Sequence, residues 1–337
     1  MAALDSHGTS DAQEHFKKRG DHRGRNADTP RQIPAPGWKD ILVRVKHEVG
    51  EDRLTMIAAA MAYYALLASV PALSSLVLLY AWFTDPASIS EHLVSVERFI
   101  PTEAGEIIRQ QLTSLASKAS STLGFSALGT LLFSLWSASK GSSAVIEAMN
   151  IIYDEKECRG FFKRTGMAIA FTLLGTVLSL VAILVVVALP VVTGFFDFGA
   201  LFNSLSKIVG WLLLLGILSF YISCMYRFGP CRERARWKWV SPGSVIASVL
   251  WAATSLLFSW YASNFANFNK TYGSLGAIVV MMTWFYLSSF IILLGGEINA
   301  EIEHQTKKDS TTGSPKPMGS RGAEMADTVG PSAEALH

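Results

Sequence analysis

Few residues of this sequence could do chemistry inside an apolar surrounding, and they stand at the ends of its apolar stretches. Lys140 follows one such stretch, Arg227 ends another, and Glu297 and Asn299 end a third. Ionisable groups in such places are functional candidates by default, because an unpaired charge in hydrocarbon is costly. We hypothesise that these four residues form one polar layer at the cytoplasmic mouth of a helical bundle. Four separately solvated side chains, with Lys140 reaching the lipid headgroups, are the alternative.

A solute path through such a bundle would have to use hydroxyls, aromatic faces and helix breaks. Tyr63, Tyr64 and Pro71 lie in the first apolar stretch and are the candidates. A proline inside a helix removes a backbone hydrogen bond and kinks the helix. The alternative is that both tyrosines are packing residues or interface anchors. The small residues around positions 58–65 favour close helix packing, with pore lining as the alternative.

Signatures of catalysis are missing from the sequence. All seven histidines lie outside the apolar stretches, and no HExxH, GxSxG or P-loop pattern occurs. We therefore expect no enzyme activity, ribonuclease activity included, and no cofactor. Direct nucleic-acid binding is not expected either, because retention at the cytoplasmic face explains the basic connections equally well.

The distribution of charge indicates that lipid is the solvent of most of the chain. Of the 337 residues, 50% are hydrophobic and 17% are charged, against about 25% charged in an ordinary soluble domain. About 20 apolar residues suffice for a helix to cross a bilayer. The sequence predicts an all-α polytopic membrane bundle over residues 37–303, with the bilayer as its partner and a homo-oligomer left open. The expected spans cover residues 56–83, 121–140, 167–192, 208–226, 242–263 and 273–296.

Basic residues predict the orientation of the bundle, since positively charged connections stay in the cytoplasm. Ten Lys and Arg precede the first span, four lie in 154–164 and five in 227–238. The alternate connections hold only three, one and one. We expect a bacterial inner-membrane protein with both termini in the cytoplasm. Its three cysteines then lie on or near the reducing side without a CxxC pair, so we expect neither a disulfide nor a zinc site.

Several segments outside the spans have a recognisable pattern. Residues 1–36 and 304–337 are rich in polar residues, Gly and Pro without periodicity, and are predicted to be disordered cytoplasmic tails. Trp38, Ile41, Leu42, Val45 and Val49 predict an amphipathic helix before the first span. That helix could lie on the inner leaflet or pack against the protein's own loops. Stripes at 89–100 and 108–115 predict two short amphipathic helices in the first outer connection.

An ordered set of strings resembles the YihY or virulence factor BrkB family over residues 38–303. The string AAAMAYYALLASVP at 58–71 resembles its first-span signature, and YGSLGA at 272–277 is the most specific match. Ala68, in place of the usual Phe, and Gly296, in place of Ala, are mild departures. The positions that carry the resemblance include Trp136, Asn150, Pro230, Tyr272, Gly273, Gly276 and Trp284.

The resemblance implies a six-span inner-membrane protein with a suggested role in envelope resistance or transport. It also implies that the family's old ribonuclease label is a misassignment. Two functions remain open at this point. One is a transporter or permease-like protein for a small solute or lipid, and the other is a noncatalytic envelope scaffold that binds partners.

Overall fold

The computed structural model describes residues 22–81, 125–195, 199–265 and 274–336. Within these ranges the chain forms helices and irregular segments, with a single isolated bridge between Ala235 and Thr311 in place of any strand. A short 3-10 helix, Pro30–Gln32, precedes the α-helices. The α-helices are α1 (Ala35–Glu51), α2 (Leu54–Ala81), α3 (Phe125–Ile152), α4 (Phe161–Phe195), α5 (Gly199–Phe228), α6 (Trp237–Phe265), α7 (Ser274–His304) and α8 (Glu324–Asp327).

Length and composition mark this fold as a helical membrane bundle. Four segments are long and apolar enough to cross a membrane, and the start of α2 adds a shorter apolar helix, Leu54–Ser69. The four segments are Phe161–Val187, Ile208–Phe228, Trp237–Ala262 and Ile278–His304. Large apolar side chains such as Leu257, 67% exposed, point outward from these helices. Contact with hydrocarbon is favourable for such an apolar surface, whereas contact with water is not.

The six long helices form a closed ring. Each helix from α2 to α7 packs against the next along the chain, and α7 packs against α2 to close the circle. From α3 to α7 short connections explain this order, because consecutive antiparallel helices pack as neighbours when little chain separates them. Helices α2 and α3 are neighbours although residues 82–124 separate them. The ring thus surrounds an interior to which every long helix contributes a face.

The backbones of helices α6 and α7 are in contact where the two helices cross. A Cβ built on Gly295 would lie 2.6 Å from both the Ala247 Cβ and the Tyr226 hydroxyl, and one on Gly243 would clash with the Gly295 carbonyl oxygen. Small residues at helix crossings permit this approach in membrane proteins. The crossing therefore depends on glycine at two facing positions.

Helix α1 packs against the bundle rather than lying free on a membrane surface. Ile41 and Val45 are buried in a cluster with Trp239 of α6 and Ile298 and Ile302 of α7. The predicted amphipathic helix is confirmed, and packing against the protein's own helices accounts for its apolar stripe. Leu42 remains exposed on the opposite side.

The structure differs from the prediction of a disordered C-terminal tail. The Arg321 guanidinium donates to the Lys307 and Ala326 carbonyls, and the Ala333 amide donates to Asp40 of α1. The tail's polar residues thus bond with one another and with the helix ends, which composition alone does not reveal. Residues 22–36 are also packed, while residues 1–21 and the predicted helices at 89–100 and 108–115 lie outside the described residues.

Substitution of Gly295 by Ala should destabilise the α6–α7 crossing. We expect a loss of about 1–3 kcal/mol, because the new methyl group would overlap atoms of two neighbouring helices. Gly216→Ala in α5 is the matched control, since a Cβ there meets no atom within 4 Å. Thermal unfolding of the purified protein in lipid nanodiscs measures both. Equal midpoints for the two variants would contradict the crossing described here.

Candidate functional site

The centre of the ring holds a cavity of about 740 Å³. Its walls come from all six long helices, and many of the lining side chains are small. Those of α2 and α3 include Ala65, Ala68, Gly141 and Ser142, and α4 adds Gly175. Small residues leave room where helices face one another, so the same alanines and glycines that permit packing also create this space.

The cavity walls are apolar, and several of the hydroxyl groups in them already have partners. No Asp, Glu, Lys, Arg or His occurs among the described lining residues. Ser142 bonds with Thr172 at 2.9 Å, and the Trp251 indole donates to the Ser288 hydroxyl at 3.0 Å. A volume of this size lined in this way is typical of a site for an apolar or amphipathic small molecule.

The predicted path residues on α2 do not line this cavity. Tyr63 and Tyr64 are 52% and 43% exposed on the outer side of the helix, and Pro71 is half-buried outside the lining set. Met61, Ala65, Ala68 and Ala72 line it instead. Their spacing of three and four residues is the helical signal that could have identified this face.

The four residues of the hypothesised polar layer occupy different surroundings. The Lys140 ammonium lies 4.9 Å from the Trp136 ring centroid on the exposed side of α3. The Arg227 guanidinium lies 4.4 Å from the Trp237 ring centroid. Both oxygens of Glu297 are buried without a hydrogen-bond partner among the described residues. No two of these four residues form an ion pair in the structure. Whether they act together in function stays a prediction.

Asn299 has a structural role that its sequence position did not suggest. Its side-chain oxygen accepts from the Gly243 amide and its nitrogen donates to the Val240 carbonyl, both at 2.7 Å. Pro242 lies between these residues in α6 and has no backbone N–H to donate. The Asn299 amide thus replaces part of the backbone ladder of α6 beside the glycine crossing.

The end of α7 belongs to a dense polar region that we call the polar end. It comprises α1, the 153–160 and 229–236 connections, the last turns of α7 and residues 305–336. Arg44 of α1 pairs with Glu301, and Arg232 donates to Glu303 at 3.0 Å, all four side chains being buried. Gln305 accepts from Arg44 and donates to the Arg23 carbonyl. Paired in this way, the buried carboxylates of Glu301 and Glu303 avoid an uncompensated charge.

Asn150, one of the family positions, joins the two connections of the polar end. Its amide nitrogen donates to Glu157 at 2.9 Å, and its oxygen accepts from the Cys231 amide at 2.8 Å. Although burial opposes ionisation, hydrogen bonds from Arg159 and Asn150 lower the pKa of Glu157 to about 2. The stabilisation that follows is present above the ordinary pKa of a glutamate and is lost as the pH falls toward 2. Arg159 in turn donates to the Phe228 and Gly229 carbonyls at the end of α5.

Cys158 and Cys231 form a disulfide across the same two connections, with their Cα atoms 5.8 Å apart. The expectation that no disulfide forms is wrong for this pair. The two residues are separated by 73 positions in sequence, so only the packing of α3–α4 against α5–α6 reveals them as neighbours. Cys224, the third cysteine, is buried and free.

The remaining family positions that the structure describes lie in packed surroundings. Pro230 and Gly276 are buried, and the Trp284 ring lies 6.0 Å from the Trp251 ring, which lines the cavity. Tyr272 and Gly273 lie outside the described residues.

Comparison with known proteins gives the family. The sequence model of the family described as virulence factor BrkB matches residues 45–319, most of the chain. The chain belongs to the virulence factor BrkB family.

Relatives in this family support the membrane assignment. A ribonuclease-like protein named YfkH from Bacillus subtilis is 33% identical over 80% of this chain and 96% of its own length. UPF0761 membrane protein PBPRA3489 from Photobacterium profundum is 28% identical over 81% of this chain and 82% of its own. UPF0761 membrane protein VP0125 from Vibrio parahaemolyticus is also 28% identical, over 80% and 82%. No solved structure matches the chain.

Substitution of Asn150 by Ala should loosen the polar end. We expect a loss of about 2 kcal/mol, because one hydrogen bond to a charged group and one to a buried amide disappear together. Ile151→Ala, at the adjacent exposed position, is the control and should change stability by less than about 0.5 kcal/mol. Thermal unfolding in nanodiscs gives both values. A midpoint for Asn150→Ala equal to that of the control would show that Asn150 does not hold these connections together.

Proposed function

We propose that this chain is a permease-like membrane protein that takes an apolar or amphipathic small molecule, such as a lipid, into its central cavity. One observation carries the proposal, which is the cavity of about 740 Å³ lined by all six long helices. Its size falls in the usual range for small-molecule sites. The uncharged lining disfavours a free ion or a highly charged metabolite, because such a ligand would lose its hydration without gaining a counter-charge.

The proposal includes six membrane spans. Helices α2 and α3 hold 28 residues each, which corresponds to about 42 Å of helix and exceeds a hydrocarbon core of about 30 Å. Together with the four clear span candidates they would give six crossings, with both termini on one side. The basic connections favour the cytoplasm of a bacterial cell for the polar end, and the inner membrane for the bundle.

A noncatalytic envelope scaffold is the second candidate. The observation in its favour is that the described polar end is filled by packed side chains and by the tail, with Arg44 held by Glu301, Gln305 and the Pro331 carbonyl. A scaffold needs a fixed surface of this kind and no occupied cavity. The two functions therefore differ in whether a molecule enters the ring.

A bulky side chain in the cavity should abolish occupancy. We expect Ala65→Phe to reduce co-purifying or added amphipathic molecule by at least about tenfold, since the ring fills the space of the ligand. Ala60→Phe, exposed on the same helix, is the matched control and should retain binding. Native mass spectrometry measures occupancy, and lipid or solute flux in proteoliposomes measures transport. An empty wild-type protein without flux, or equal occupancy in both variants, would favour the scaffold.

Thiol labelling tests the orientation. In a Cys231→Ser variant, Cys158 is freed from its disulfide and lies exposed on the 153–160 connection. We expect a membrane-impermeant maleimide to label Cys158 in inside-out vesicles and not in intact spheroplasts, because the basic connections should face the cytoplasm. The Cys158→Ser, Cys231→Ser double variant controls for labelling of Cys224. Labelling from outside the cell would reverse the proposed topology.

A further inference from the structure

Alternate residues along the last turns of α7 carry buried polar side chains, and one of these side chains has no partner. Asn299, Glu301, Glu303 and Gln305 each bond with α6, α1 or the connections around them. Glu297 is 1% exposed, and neither carboxyl oxygen has a hydrogen-bond partner among the described residues. A carboxylate buried in this way is so costly that the group takes up a proton instead.

The charges that act most on Glu297 are all negative. Glu297 and Glu301 are four residues apart and share one face of α7, and Glu301 is held by Arg44 of α1. The acidic groups that act on Glu297 are Glu301, Asp52 and Glu48 of the α1 segment, and Asp154 of the next connection.

Four further titratable groups at this end are engaged or neutral. Arg232 donates to Glu303 and stacks on the Tyr153 ring at 4.1 Å. The Tyr226 hydroxyl donates to the Ile292 carbonyl, and His304 lies 3.4 Å from Glu301. The buried Tyr153 hydroxyl has no partner among the described residues, and burial raises the pKa of Tyr153, so it remains protonated. None of these four groups pairs with Glu297.

The carboxyl groups that act on Glu297 show the same negative field. Burial, followed by the charges of Asp154 and Glu48, raises the pKa of Asp52 to about 7. Burial also raises the pKa of Glu48 and of Asp154. Asp52 ends α1 and precedes Arg53, whose left-handed φ of 53° turns the chain into α2. Asp52 is thus an acid that titrates near neutral pH and whose charge acts on Glu297.

A metal ion fits this arrangement less well than a proton. Coordination of a metal needs several ligand atoms close together. Among the described residues the ligand group that meets this condition is His47, Glu48 and Glu51, on the surface of α1 and without Glu297. A proton needs only one carboxyl oxygen.

We propose that Glu297 is a proton-binding site at the polar end of the bundle. One proton adds to a carboxylate oxygen, the carboxylate becomes a neutral carboxylic acid, and the polar end loses one negative charge. Ionised Glu297 would require water or a cation, whereas Leu293, one turn before it on α7, is fully buried in an apolar cluster with Leu54 and Ala58. Release of the proton is therefore linked to opening of that cluster. The site stands independently of whether the cavity carries a solute.

Infrared spectroscopy of the full chain in lipid nanodiscs tests the proposal. At about pH 8, where an ordinary glutamate is ionised, the wild-type protein should show the carbonyl band of a protonated carboxyl group that shifts in heavy water. Glu297→Gln should lose this band and keep the thermal midpoint, because glutamine has the shape of the neutral acid. Asp52→Asn is the matched control and should keep the band.

Three results would overturn the assignment. These are absence of the band in the wild-type protein, its persistence in Glu297→Gln, and its loss in Asp52→Asn. If Glu297→Gln does not fold, Glu297→Asp replaces it, and there the band should move to a new frequency. An unchanged band in that variant would place the protonated carboxyl group elsewhere.

Discussion

The contact between the backbones of α6 and α7 is the constraint on which the polar end depends. Gly243 and Gly295 let the two helices approach until a side chain from one can enter the hydrogen-bond ladder of the other. Asn299 does so one turn further along α7. Tyr226 also reaches the Ile292 carbonyl beside the crossing. Any larger residue at the glycines would move α7 outward and separate these groups, so the position of Glu297 follows from the crossing.

Burial and pairing of charge divide the carboxylates of α7 into two kinds. Glu301 and Glu303 meet arginines and are neutralised as pairs, although the desolvation of both partners offsets much of the attraction. Such pairs add specificity of geometry more than stability, because they fix which side of α7 faces α1 and which faces the 229–236 connection. Glu297 lies one turn closer to the apolar cluster, where no arginine reaches among the described residues. Helix α7 therefore carries the paired carboxylates Glu301 and Glu303 at its end, and the unpaired Glu297 one turn nearer the apolar cluster.

Helices and their apolar faces could be predicted from the sequence, whereas contacts between distant segments could not. The stripe from Trp38 to Val49 predicted α1, and the charge-free windows located the long helices, because periodicity and charge are local properties. The cavity is formed by six helices together. The sequence therefore did not show which residues of the other helices face Ala65, Ala68 and Ala72. Cys158 and Cys231 meet only after two connections pack together. Pro242, which lacks a backbone N–H, and Asn299 are 57 residues apart. Nothing in the sequence indicates that the Asn299 side chain bonds beside Pro242.

The cavity and the polar end share one rigid element, which determines how a change at one could reach the other. Ser289, Leu293, Glu297 and Glu301 follow at intervals of four residues on one face of α7. Ser289 lines the cavity, Leu293 is fully buried in the apolar cluster, and Glu301 is tied to α1. Movement of α7 that admitted water to Glu297 would have to displace Leu293, and with it the floor of the cavity near Ile292. Arg44 holds α1 to α7 through Glu301, so a displacement of this part of α7 would reach α1 as well as the cavity.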